Sequence, residues 1–210
     1  MSCEASSWLK TFSQTHPVIL GSGSVSRLKV METGGVQIAG IVSPDIDEKA
    51  IRARTPQEMS MLIARAKADA VSTKLTSQLA ASAIVICSDM VSVFRGVVRE
   101  KPESPEQARE FVNLYSSGEP VLLVASVVVL NAKTSKRAVG VHECSVVYRH
   151  MPQEVVDSLV SRPVVYTCCG GVSIDDKEMG KYVESIAGGW DGVMGLPLSL
   201  VEELIKQVIW

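Results

Sequence analysis

"AIVICSDMVSVFRGVVRE", residues 83–100, decides how the rest of the chain is arranged. Apolar and branched residues fill it without a helical period, which marks strand, and Arg95-Gly96 is the kind of two-residue turn that folds a strand back on itself. The stretch therefore reads as two paired strands, "AIVICSDMVSVF" and "VVRE". Downstream, "PVLLVASVVVL" (120–130) pairs in the same way with "AVGVHECSVVYRH" (138–150) across the polar turn "NAKTSK". Branched residues at this density predict central strands covered on both faces.

Helices are interspersed with these hairpins. "HPVIL" (16–20) reads as a short buried strand, after which Ser24 or Ser26 caps a helix that carries Leu28 and Met31 and stops at Gly34-Gly35. At "TPQE", Thr55 is the N-cap, Pro56 the first helical residue and Glu58 the far half of a capping box; Met59, Leu62, Ile63, Ala66 and Ala70 are expected on the inward face. Ser104, Pro105 and Gln107 open another helix, with Ala108, Phe111, Val112 and Tyr115 inward. "PQEVVDSLVS" reads as a short helix, "VVYTCCGGVSI" and "KYVESI" as strands, and "LSLVEELIKQVI" as a closing helix with Leu200, Leu204, Ile205 and Val208 at helical spacing. Hairpins mixed with helices predict an α/β fold with a mixed sheet.

At 210 residues, with 46% hydrophobic and 21% charged side chains, the chain can bury one full core or two fused lobes. The formal net charge of −2 gives no basic field for nucleic acid, so an anionic ligand must be held by a local site. No apolar run is long enough for a bilayer, and "MSCEASSWLKTF" lacks the features of a secretory signal, so a cytoplasmic protein without membrane or nucleic-acid partners is expected. Cys3, Cys87, Cys144, Cys168 and Cys169 form no C-x-x-C pair, and an odd count fits free thiols. Cys168 and Cys169 are read as small buried hydrophobes.

Several polar residues are candidates for chemistry. "GSGSVSR" (21–27) joins a strand to a helix, where free N–H groups hold phosphate; Ser22, Ser24 and Ser26 add hydroxyls and Arg27 a cation. The loop matches neither a P-loop nor G-x-G-x-x-G, and a turn with an N-cap is its plainer reading. Arg27 tilts the balance, because a cation in the first helical turn opposes the helix dipole unless an anion is present. Asp89 lies inside an apolar strand, which is costly without a partner. Lys101 in "REKPE", the acidic cluster Asp45, Asp47 and Glu48 in "SPDIDE", and Lys67 beside the apolar helix face complete the set, each with a solvated alternative.

In order and spacing, "LGSGSVSR", "PDIDE", "ARAKA", "CSDM", "EKPES" and "VMGLPL" resemble the motifs of the Maf family of nucleoside triphosphate pyrophosphatases. The resemblance runs from about Val18 to the final helix and suggests an N-terminal extension over 1–16 and one domain over 17–210. It implies an elongated, twisted mixed sheet flanked by helices, in two lobes around a deep cleft as in inosine triphosphate pyrophosphatase-like folds, and a homodimer. The implied reaction converts a nucleoside triphosphate to the monophosphate and pyrophosphate, with a Mg2+ or Mn2+ cofactor. The resemblance also implies the site roles: Asp89 as proton acceptor, Ser22, Ser24, Arg27, Lys67 and Lys101 on the triphosphate, and Glu48 with Asp89 at water and metal.

The chain departs from the family pattern in two places. Val25 and Ser26 stand where proline and a further arginine are usual, and Ser88-Asp89-Met90 replaces the A-D-T of dTTP/UTP-type members. Their G-I-Q-G segment corresponds to "GGVSIDDKEMG", with Asp175 or Asp176 in place of the glutamine. An acidic group there resembles the subgroup acting on 7-methylguanosine triphosphate, whose base is positive. A nucleotide-binding regulator without turnover, and an interaction scaffold, remain as readings from other classes.

Overall fold

The computed structural model describes residues 4–210, a seven-stranded mixed sheet in the order β2-β1-β3-β5-β6-β7 with β4 appended to β3. Helix α1 (Ser7–Thr15) precedes β1 (Val18–Gly21), α2 (Val25–Thr33) and β2 (Gly40–Ile41). Next come α3 (Pro56–Lys74), α4 (Ser77–Ala80) and the hairpin of β3 (Ile84–Phe94) with β4 (Val97–Arg99). The chain continues through α5 (Pro105–Tyr115), the hairpin of β5 (Val121–Asn131) with β6 (Arg137–Tyr148), α6 (Gln153–Val160) and α7 (Val164–Thr167). It closes with β7 (Val183–Ala187), α8 (Trp190–Val193) and α9 (Leu198–Ile209). Cys3 lies outside the described residues; Cys87, Cys144, Cys168 and Cys169 are free thiols. No described helix is long and apolar enough to cross a membrane.

Local chemistry places these elements. The hydroxyls of Ser24, Thr55 and Ser104 each accept a hydrogen bond from the backbone N–H three residues on, starting α2, α3 and α5. Arg95 and Gly96 both take positive φ, 50° and 75°, which matches the twist of a tight hairpin. Side chains alternate along β3. Val85, Cys87 and Val91 face α3, whereas Ile84 and Ile86 face the opposite side among α1, α2 and α9. That opposite face carries a second helical cover farther along, where α5 and α6 pack on Phe94, Leu123 and Val146.

Three expectations need correction. Helix α3 buries Met59, Ser60, Ile63, Ala64, Lys67, Ala68 and Val71, whereas Leu62 is exposed and Ala66 and Ala70 are half-buried. The inward face is turned toward the small residues because these let the helix lie close to the sheet. "VVYTCCGGVSI" is not a strand: it forms α7 and a 3-10 turn over Cys169–Gly171, with Gly170 and Gly171 at positive φ. Cys168 and Cys169 are consequently half-buried beside a cleft. β6 is less covered than expected, since Val139 to His142 are half-buried, while β5 is buried almost throughout.

One irregularity of the sheet positions everything that follows. Along one edge of β3, β1 pairs with Ile84–Cys87 and β4 with Ser92–Phe94, so residues 88–91 have no strand beside them on that edge. β1 runs parallel to β3 and leaves the sheet at Gly21, opposite Cys87. β4 runs antiparallel and leaves it after Arg99, opposite Ser92. Both exits therefore deliver their loops, 22–24 and 100–104, to the same gap.

Candidate active site

Asp89 stands in that gap, on the face of β3 covered by α3. Only 5% of it is exposed, and its Oδ1 accepts a hydrogen bond from Lys67 Nζ at 2.7 Å. The same ammonium lies 2.8 Å from Glu48 Oε1, so Lys67, itself 4% exposed, bridges a buried and a half-exposed carboxylate. Burial and Lys67 pull on the two acids with different outcomes. Burial pushes the Asp89 carboxyl above its ordinary range despite the opposing pull of Lys67 and Arg27. For Glu48, burial acts in the same sense, but Lys67, Lys101 and Arg27 together outweigh it and hold the carboxyl low. The two neighbouring carboxyls are thus shifted in opposite directions, Asp89 up and Glu48 down, a divergence typical of sites where acids take different roles.

Glu48 reaches this position on a tethered loop. Lys74 of α3 donates to the carbonyls of Ser43 and Pro44 and pairs with Asp45 at 2.6 Å. Asp47 then accepts from the Lys49 amide and starts the 3-10 turn Glu48–Ala50. Asp45 and Asp47 thus shape the loop, and Glu48 points inward.

At the other side of the gap, Ser22 Oγ accepts from the Ser24 amide at 3.1 Å and from Arg27 Nη1 at 3.2 Å. Arg27 Nε donates to the Gly195 carbonyl at 3.1 Å, and Nη2 has no hydrogen-bond partner among the described residues. Lys101 arrives from the loop after β4, with no carboxylate within salt-bridge distance among the described residues. Ser22, Ser24, Arg27, Glu48, Lys67, Asp89 and Lys101 all line one cleft of about 660 Å3. Beyond the acidic pair it opens into a second chamber floored by Met59, Ile63, Val91 and Val98.

The two aspartates of the segment after α7 part company. Asp175 lines the cleft, where it pairs with Lys29 at 3.1 Å and accepts from Ser173. Asp176 does not line it. Its carboxylate receives both terminal nitrogens of Arg162, at 2.7 and 3.0 Å, and the amides of Glu178 and Met179, which makes it the knot of a surface turn. Tyr166 lines the cleft with no signal in the sequence to mark it, whereas Ser88 and Gly195, which stand behind the cleft, fall within the "CSDM" and "VMGLPL" motifs.

Among the described residues no three His, Cys, Asp or Glu side chains cluster into a complete metal cage. Glu48 and Asp89 do form a two-carboxylate set, which suits an ion that takes one or two protein carboxylates and fills its shell with substrate phosphates and water.

A family profile described as "Maf-like protein" matches residues 17–208, which include all seven strands and both walls of the cleft. The chain belongs to the Maf family. Among Maf relatives, the 7-methyl-GTP pyrophosphatase of Dictyostelium discoideum is 38% identical over 197 residues, covering 92% of this chain and 98% of that protein. The 7-methyl-GTP pyrophosphatase of Idiomarina loihiensis is 28% identical, covering 91% and 94%. The dTTP/UTP pyrophosphatase of Syntrophus aciditrophicus is 27% identical, covering 92% and 91%. Family membership agrees with the mixed sheet and helical covers seen here.

Proposed function

We propose that this chain hydrolyses a nucleoside triphosphate to the monophosphate and pyrophosphate, with Asp89 accepting the proton of the attacking water. The observation that carries the reading is the pairing of a buried carboxylate, its carboxyl pushed upward by burial, with three cations, Arg27, Lys67 and Lys101, around one cleft. Ser22, Ser24 and the start of α2 offer donors to the phosphates, and the cations offset the charge that builds on the phosphoryl oxygens in the transition state. Asp89 takes the proton as the water oxygen bonds to the α-phosphorus and the bond to the departing pyrophosphate breaks. Glu48 and Asp89 would hold a Mg2+ or Mn2+ ion, which when bound supplies Lewis-acid polarisation of the phosphates. Release of pyrophosphate from a panel of nucleoside triphosphates, with each metal in turn, tests the reaction; absence of release from every one overturns it.

Because burial raises the Asp89 carboxyl, the base becomes competent only above the ordinary carboxylate range. The acid limb of the kcat/KM profile is therefore expected to lie above that range, with activity rising as pH rises through it. A profile flat down to about pH 4, the ordinary carboxylate value, contradicts the assignment.

Within the substrate class, 7-methyl-GTP is the proposed preference, supported by the names of the Dictyostelium and Idiomarina relatives and by a carboxylate, Asp175, in the cleft wall. A carboxylate favours a positively charged base. Asp175→Asn is expected to lower kcat/KM for 7-methyl-GTP by about tenfold, while dTTP changes by less than about twofold. Equal changes for the two nucleotides rule out this contact. Asp176, tied to Arg162, has no part in the proposal.

A homodimeric, cytoplasmic protein with an N-terminal extension over 1–16 belongs to the same reading. Helix α1 of that extension packs Leu9 and Phe12 into the α2–α9 core. Light scattering tests the dimer.

A further inference from the structure

Ser88 precedes Asp89 in β3, so its side chain points to the opposite face, away from Lys67 and toward the turn before α9. It is fully buried, and its hydroxyl donates to the Gly195 carbonyl at 2.8 Å. That carbonyl also accepts Arg27 Nε at 3.1 Å. Gly195 has φ of +88°, the left-handed region that favours glycine, and a Cβ there would stand 3.3 Å from Arg27 Nε. One oxygen thus joins the strand that carries the proposed base to the arginine of the phosphate loop. Ser22 fixes a second edge of the guanidinium through Nη1, and Nη2 is left for an incoming anion.

We propose that Ser88 and Gly195 are positioning residues, which hold the guanidinium of Arg27 in register with Asp89 so that it meets the nucleotide phosphates already oriented. The inference rests on the pyrophosphatase reading above. Ser88 acts through the carbonyl: its hydrogen bond fixes the plane of the peptide after Gly195, and the oxygen then fixes Nε. A loose arginine retains its charge but must be ordered at each binding event, which weakens binding more than it slows the chemical step.

The test is steady-state pyrophosphate release, with 7-methyl-GTP and with dTTP, for Ser88→Ala, Ser88→Thr, Gly195→Ala and Arg27→Ala, and for the two doubles that join Arg27→Ala to Ser88→Ala and to Gly195→Ala. Ser88→Ala is expected to raise KM by about 3- to 10-fold with kcat within about twofold, the loss of one neutral hydrogen bond. Ser88→Thr, which keeps the hydroxyl, restores most of it. Gly195→Ala raises KM further. Neither Ser88→Ala nor Gly195→Ala changes KM in the Arg27→Ala background, because the residue they position is gone. An unchanged KM in both single variants, or the same fold-change with and without Arg27, overturns the proposal. If Ser88→Ala does not fold, Gly195→Ala and its double with Arg27→Ala decide by the same criterion. Should Arg27→Ala itself leave KM and kcat untouched, the phosphate-binding assignment of the previous subsection fails instead.

Discussion

Asp89→Asn is expected to cut pyrophosphate release by a factor of about 10² to 10⁴, while nucleotide affinity stays within about threefold of wild type. Asparagine preserves the size of the side chain and can still accept from Lys67 through its amide oxygen. It cannot take a proton from water, so the loss falls on the chemical step. Neutralising Asp89 also removes a negative charge near the phosphates, which favours binding and keeps KM from rising. Single-turnover release of pyrophosphate measures the first quantity, and nucleotide-dependent thermal stabilisation the second. Turnover within about tenfold of wild type would remove Asp89 as the base. Stabilisation by nucleotide without release in the wild-type protein would instead favour a binding protein that shares the cleft.

Lys67→Met is expected to be the most damaging single change to the fold around the site. Lys67 and Asp89 are both nearly inaccessible to water, and deleting the ammonium leaves a buried carboxylate without its partner. Breaking such a pair costs about 3–5 kcal/mol, which for a chain of this length lowers the melting temperature by roughly 10 °C. Glu48 contributes less, since it is half-exposed and can turn toward water. The loss depends on pH in a definite sense. Without Lys67, Asp89 is raised further above its unfolded value, so its carboxyl is protonated and harmless at low pH. Stability is then lost as pH rises through the folded value. Chemical denaturation at about pH 5 and about pH 8 should therefore show a larger deficit, relative to wild type, at the higher pH. An equal deficit at both would mean that lost packing, not the unpaired charge, dominates. On the proposed reading activity falls as well, because one of the three cations assigned to the phosphates is gone.

Much of this architecture could be read from the chain. The strand and turn signals of residues 83–100 mark the hairpin, and the hydroxyl caps at Thr55 and Ser104 mark two helix starts, with Ser24 one of two candidates for a third, because both depend on local backbone chemistry. What failed depends on tertiary packing. Helical spacing puts Leu62, Ala66 and Ala70 on the inward face of α3 with Met59 and Ile63, yet the close approach of helix to sheet selects Ser60, Ala64 and Ala68, and this rotation takes Lys67 from the margin into the core. "VVYTCCGG" has the composition of a strand, but its two glycines at positive φ turn it into the cleft wall. Asp175 and Asp176 are neighbours in sequence with equal prior claims; their separation arises from Arg162, fourteen residues before Asp176, which no local pattern reveals. The partnership of Ser88, Gly195 and Arg27 likewise joins segments far apart in the chain.

The missing neighbour along residues 88–91 of β3 has a further consequence. On its opposite edge β3 is laddered to β5 from Ile84 to Val93, so the strand cannot slip by one residue without breaking every rung and exchanging Ser88 for Asp89. On the proposed reading, the base Asp89 is thereby anchored to a strand paired along nearly its whole length on one edge, whereas Asp175, the proposed contact to the nucleobase, hangs from a connecting segment. Under that reading, a change of nucleobase preference can be made in the segment around Asp175 without displacing Asp89.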